Sequence, residues 1–228
     1  MIIENSKILV AGGTGALGEG IVRTLLQQGA NVLVPTRDAQ KVEKLREYVA
    51  DVSTGSLEGV IGSLSTPEDA ARLAEAIARS GPLNAIVASI GGWTQGHGIA
   101  DVPFDVWENV IRDNLTPHFL AMKYLSPLLA DKSAYVHMNG MSAEMAWPNA
   151  GPIAAMAAAQ KSLALTFAEE SYKKFNVYEV ILPPVNTRAR QGRGRPEWPT
   201  AEEVGQYVAG ILERNDGTVL NRYEMKTH

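Results

Sequence analysis

Cysteine is absent from the 228-residue chain, so disulfides, thiolate catalysis and zinc–thiolate centres are excluded together. Histidine is scarce too, and His97, His118, His137 and His228 never fall at metal-ligand spacing. No run of about 18 apolar residues occurs, and Met1 to Ser6 lacks the basic-then-apolar pattern of a secretion signal. These absences lead to the expectation of a soluble, cytoplasmic protein without a membrane partner. Nor is charge of one sign concentrated. The 21 Lys+Arg and 25 Asp+Glu residues leave a net charge of -4 and no continuous basic surface to attract nucleic acid.

What is present is an apolar content of 45%, ample for one core and short for two, so residues 1–228 are read as a single domain. Short apolar runs alternate with longer stretches of helical spacing. The strands expected are Lys7–Ala11, Asn31–Val34, Leu57–Ile61, Asn84–Ala88, Ala134–Met138, Val177–Leu182 and Gly217–Asn221. The helices expected are Gly15–Gln28, Ala39–Tyr48, Pro67–Arg79, Phe104–Leu129, Ile153–Lys174 and Thr200–Arg214. Ser65-Thr66-Pro67 and Thr200-Ala201-Glu202-Glu203 read as helix starts, the second as a capping box. This alternation predicts an α/β class: a Rossmann-type, doubly wound, mainly parallel sheet of about seven strands with helices on both faces. The proline-, arginine- and glycine-rich stretch 183–199 is a loop or lid candidate on the substrate side.

The first strand runs straight into Gly12-Gly13-Thr14-Gly15-Ala16-Leu17-Gly18 and then into an amphipathic helix. Backbone N–H groups converge at such a helix start, and an anion belongs there. Glycines at 12, 15 and 18 would supply a tight turn, a close approach to a diphosphate and close packing of helix on strand. At the end of the second strand an acid would bind both ribose hydroxyls and repel a 2'-phosphate. Here Thr36 stands instead, followed by Arg37, whose planar cation suits a phosphate, so NADP(H) is favoured over NAD(H). The other reading of Arg37 is a surface turn paired with Asp38.

With these features the chain resembles the short-chain dehydrogenase/reductase family from the first strand to about residue 222. Asn84-Ala85-Ile86-Val87-Ala88-Ser89-Ile90-Gly91-Gly92 looks like the family's fourth strand and its Asn-Asn-Ala-Gly ending, with both asparagines replaced, by Ala88 and Ser89. Asn114 falls on the family's catalytic asparagine. Pro183-Pro184-Val185-Asn186-Thr187 is similar to the Pro-Gly-x-Val-x-Thr segment at the nicotinamide, with Pro184 for glycine. Lys161 aligns with the family's lysine, one helical turn after its tyrosine, but the tyrosine position is Ala157. Ser142 is the one serine near the family's serine position, where a gapless count gives Gly140 or Glu144; a turn or cap serine is the alternative.

The resemblance therefore implies Asn114, Ser142 and Lys161 as catalytic positions. The cofactor set is Gly12, Thr14, Gly15, Ala16, Leu17, Gly18, Arg37, Ser63, Leu64, Ser89, Gly91, Lys161, Pro183, Val185 and Thr187, with no metal. The activity implied is an NADP(H)-dependent oxidoreductase for a small carbonyl or alcohol, using a proton donor other than tyrosine. Lys161, Glu144, His97 and Tyr135 are the candidate donors. The alternative is a non-catalytic NADP(H)-binding sensor or partner subunit. The alanines on the helix that carries Lys161 give it a smooth face, and the resemblance implies a homo-oligomer, dimer or tetramer. Arg188, Arg190, Arg193 and Arg195 are read as a solvated loop, with recognition of an anionic substrate as the alternative.

Overall fold

A computed structural model describes residues 1–225; His228 lies outside the described residues. Its strands are β1 (Lys7–Ala11), β2 (Asn31–Thr36), β3 (Ser56–Ile61), β4 (Leu83–Ala88), β5 (Leu129–Gly140), β6 (Asn176–Leu182) and β7 (Leu220–Arg222). Its helices are α1 (Gly18–Gln27), α2 (Ala39–Tyr48), α3 (Pro67–Ala78), α4 (Phe104–Asn114), α5 (Thr116–Leu125), α6 (Gly151–Glu170) and α7 (Ala201–Arg214). The strands form one sheet in the order β3-β2-β1-β4-β5-β6-β7, and every pairing is parallel.

Parallel strands covered on both sides must be apolar throughout, and the central ones are. Ile8, Leu9 and Val10 of β1 and Ala85, Ile86 and Val87 of β4 are inaccessible to solvent. Their side chains divide between two cores. One face packs α1, α2 and α7 through residues such as Ile21, Leu25, Leu45, Val204 and Val208. The other packs α3, α5 and α6 through Leu73, Ile77, Leu125 and Ala164. The first two strands and their neighbour β4 thus bring their carboxyl ends to one edge, where the chain order reverses between β1 and β4.

Several expected boundaries move. Residues 15–17 form a turn, so α1 begins at Gly18. The helix expected over 104–129 is broken at Leu115, because Pro117 has no N–H to give the carbonyl four residues back, and α4 and α5 result. β5 begins at Leu129, five residues earlier than its apolar run, and carries the exposed Asp131 and Lys132. β7 starts only at Leu220, since Gly217 has a φ of +77° and residues 216–218 are held in a turn by Asp216. The helix starts at Thr66 and Thr200 form as read, the latter as a full capping box.

Candidate functional site

The glycine turn leaves β1 through Gly12, at φ +84°; a Cβ there would lie 2.0 Å from the carbonyl oxygen of Ser89. A Cβ on Gly18 would lie 2.1 Å from the carbonyl oxygen of Gly12, and one on Gly13 would lie 2.9 Å from the Val34 methyls. Close packing is therefore shared by Gly13 and Gly18. Gly15 is exposed, with the Gly12 oxygen 3.1 Å from its would-be Cβ. Gly15 N donates to Gly12 O at 2.8 Å and Glu19 N to Gly15 O at 2.9 Å, which tightens the loop. No side chain caps α1, so the positive end of the helix, beyond the backbone bond of Glu19, is left to the cleft.

A cavity of about 690 Å³ extends from this turn to the ends of β2 and β3. It is lined by Gly12, Thr14, Thr36, Arg37, Lys41, Ser63 and Leu64 among others. Thr36 is buried, and its hydroxyl bonds the backbone of Asp38, accepting from the amide at 3.2 Å. The Asp38 carboxylate accepts from Gln40 N at 2.9 Å and caps α2. Arg37 and Lys41 are exposed and have no ion-pair partner among the described residues. The Ser63 hydroxyl bonds the Ser65 hydroxyl and accepts from the Ser65 amide at 3.1 Å.

A second cavity of about 380 Å³ continues inward and shares Ile90, Gly91, Gly92, Trp93 and Asn114 with the first. It reaches Gly15–Gly18, Ser89, Gly140, Ser142, Ala157, Pro183, Val185, Thr187 and Arg190. Asn114 is buried at the break between α4 and α5. Its Oδ1 accepts from Gly92 N at 2.8 Å and its Nδ2 donates to Val110 O at 3.2 Å. Its backbone carbonyl accepts from Gln160 Nε2 at 2.5 Å. Gly91, at φ +100°, is required because a Cβ would lie 2.5 Å from Asn114 Oδ1. Ser142 lies in a 3₁₀ turn after β5; it is buried against the cavity and makes no hydrogen bond among the described residues.

Lys161 is placed apart from these groups. It does not line either cavity, and its ammonium donates to Glu144 Oε1 at 2.6 Å. Arg222 of β7 holds the same carboxylate with two bonds, 2.8 and 2.7 Å. The Arg222 bonds, then that from Lys161, pull the Glu144 pKa down to about 2. Among the other candidate donors, Tyr135 is wholly buried against Phe167, and burial raises its pKa. His97 is exposed and bridges Ala150, outside both cavities. Ala157, one turn before Lys161 on α6, lines the inner cavity.

Beneath the floor lies a polar cluster that the sequence did not announce. His137 Nδ1 bonds Glu179, and Asn139 Nδ2 donates to Glu179 Oε1 at 2.8 Å and to Ala157 O at 2.9 Å. Asn139 thus fastens β5 to α6 at the alanine position. His118 packs edge-on to His137 at 4.4 Å and bonds Ile90 O at 3.1 Å. Burial, then the neighbouring His137, holds the His118 pKa well below its ordinary value. These residues lie on apolar strands and helices far apart in sequence, and nothing in local pattern joins them. Among the described residues no group of three metal-type side chains converges, and no helix is long and apolar enough to cross a membrane.

A family model described as enoyl-(acyl carrier protein) reductase matches residues 12–210. Among curated proteins, dehydrogenase/reductase SDR family member 4 of Bos taurus is 26% identical over 178 residues, 75% of this chain and 63% of that protein. A rhamnolipids biosynthesis 3-oxoacyl-(acyl-carrier-protein) reductase of Pseudomonas aeruginosa is 32% identical over 126 residues, 53% of this chain and 46% of that protein. In both, the matched part is under two thirds of the relative's length. A solved short-chain dehydrogenase/reductase from Serratia marcescens superposes with a TM-score of 0.85 at 20% identity, covering 98% of each chain. The Pseudomonas aeruginosa RhlG/NADP active-site complex superposes at 0.83 and 20% identity, covering 97% of this chain and 95% of that one.

Proposed function

The chain belongs to the short-chain dehydrogenase/reductase family, and from that premise we propose that it is an NADP(H)-dependent oxidoreductase acting on a small carbonyl or alcohol, with a proton donor other than tyrosine. The observation that carries the reading is the cradle. Only glycine at positions 12 and 18 lets the turn fold this tightly, since a Cβ would strike the carbonyl oxygens of Ser89 and Gly12, and no side chain caps the helix that follows, so the residues present fit a dinucleotide's diphosphate. When bound, the cofactor supplies hydride transfer to or from the substrate carbon.

The residues of the chain divide the remaining work. Thr14, Gly15, Ala16 and Leu17 present backbone to the diphosphate, and Ser63 and Leu64 flank the outer, adenosine end. Arg37, with Lys41 beside it, neutralises a 2'-phosphate; Thr36 puts no carboxylate there to repel it. Ser89, Gly91, Pro183, Val185 and Thr187 frame the nicotinamide end. Lys161 serves the ribose by exchanging Glu144 for it. Ser142 offers its unbonded hydroxyl to the substrate oxygen, and the room left by Ala157 admits a water to pass the proton. The reading extends to one domain, an assembly of two or four copies, and a cytoplasmic location.

Titration calorimetry with NADPH and NADH tests the nucleotide: micromolar NADPH binding, at least about ten-fold tighter than NADH, is expected. Absorbance at 340 nm against a panel of carbonyls then tests turnover. A serine–water pair is a weak acid, and rates about two to four orders of magnitude below a tyrosine enzyme are expected. The pairing of Lys161 with Glu144, a carboxylate that Arg222 also holds, favours a second reading, a non-catalytic NADP(H) sensor or partner subunit. Tight NADPH binding with no turnover on any carbonyl or alcohol would select it.

A further inference from the structure

We infer that the inner cleft is built for a flat, apolar molecule carrying a carboxylate, in substrate terms an aromatic oxo- or hydroxy-acid, gripped by Trp93 and Arg190. The inference rests on the reading of this cleft as a substrate site. Among the described residues lining the inner cavity Arg190 is the one that is charged, so they bring positive charge and no acid to balance it. Its neighbours on the same loop are otherwise engaged. Arg188 is held by two bonds to Glu19 at 2.8 and 2.6 Å, and Arg195 faces Glu197 at 3.8 Å. Arg190 has no ion-pair partner among the described residues. Its guanidinium rests over Trp198 at 4.9 Å, and its amide donates to Thr187 O at 3.0 Å, which holds the loop in place around a free fork of donors. A planar fork of that kind is matched by a carboxylate.

Part of the same cavity's wall is aromatic. Trp93 lines both cavities, yet 51% of it is exposed, an uncommon state for a large ring in a cleft. It meets Trp147 edge-on at 5.6 Å. The wall is fastened rather than loose: Gly96 N donates to Asn149 O at 2.9 Å and Gln95 Nε2 to Pro148 O at 3.0 Å. Behind it Met138, Ile153 and Ala157 make an apolar floor, in which Ser142 is the nearby hydroxyl. A ring on Trp93 and a carboxylate on Arg190 satisfy both side chains at once.

The test titrates the full chain, with and without saturating NADPH, against benzoylformate, and follows heat and tryptophan fluorescence. Benzaldehyde, which lacks the carboxylate, and pyruvate, which lacks the ring, are the comparisons. Benzoylformate is expected to bind at least about ten-fold tighter than either, and Arg190→Gln to remove about ten-fold or more of that affinity. Arg190→Lys should recover part of the loss, and Trp93→Ala should weaken benzoylformate but not pyruvate. The NADPH Kd of Arg190→Gln should stay within about two-fold of the parent. Loss of NADPH affinity in Arg190→Gln with benzoylformate unaffected would assign the arginine to the cofactor diphosphate and overturn the inference. Equal binding of all three probes would overturn it as well. Failure of the cofactor reading is read separately, in the NADPH titration, while the preference for an aromatic acid is still read on the chain without nucleotide.

Discussion

At Gly12 two independent constraints coincide: a left-handed backbone, φ +84°, and a space in which a Cβ would strike the Ser89 carbonyl at 2.0 Å. Gly12→Ala should therefore lose about 1–3 kcal/mol in urea unfolding and about ten-fold or more in NADPH affinity. Gly15→Ala, whose new methyl would meet only the Gly12 oxygen at 3.1 Å, should lose under about 1 kcal/mol. Arg37 is the residue on which nucleotide choice turns. Arg37→Ala should raise the NADPH Kd about ten-fold and leave the NADH Kd within about two-fold, as measured by calorimetry. The glycine pattern and Arg37 were visible in sequence because their roles depend on neighbours a few residues away. Trp93 and Gln160 were not singled out, and Arg190 was offered only as one of four loop arginines, because what places them is the approach of segments distant in the chain. Ser142 was visible only as the nearest serine. The structure puts it on the cleft and puts Lys161 on Glu144, a separation no spacing rule discloses.

Elements carry the next constraints. The apolar runs of β1 and β4 mark strands buried on both faces, and Thr66 and Thr200 mark the starts of α3 and α7, so these were readable from composition and caps. The early start of β5 was not, since Asp131 and Lys132 read as loop and enter the strand only through pairing that begins at Leu83 and Leu129. The split at Leu115 could have been read from Pro117 alone. Thr200→Ala removes the cap of α7, which packs on α1, and should lower stability by about 1 kcal/mol in chemical unfolding. Glu144 joins the turn after β5 to α6 and β7, and its pKa, pulled from 4.5 to about 2, makes that tie pH-dependent. A carboxylate depressed in the folded state stabilises fully above its unfolded pKa and loses that contribution as pH falls through the folded one. The stability difference between the parent and Glu144→Gln should therefore be constant above about pH 5 and shrink toward pH 2 in urea titrations.

For the whole molecule, a seven-stranded parallel sheet with its switch between β1 and β4 leaves one edge where both halves contribute loops, and the cleft lies along it. The parallel, doubly wound class of the sheet followed from strand alternation; the depth of the cleft and the cluster under it did not, because both are made by contacts between the halves. His118 lies in that cluster, and its depressed pKa means the unfolded chain takes up a proton before the folded one does. Stability should be complete above the ordinary histidine value of 6.5 and fall as pH drops below it, by up to about 1.4 kcal/mol per pH unit. His118→Phe should flatten that slope in urea unfolding between about pH 6.5 and 5. The central claim, that the turn at 12–18 holds a dinucleotide's diphosphate, is met most directly by a crystal structure grown with NADPH. Density for the diphosphate against the amides of residues 14–17, with the 2'-phosphate beside Arg37, is the predicted result; nucleotide density elsewhere, or none at saturating NADPH, would contradict it.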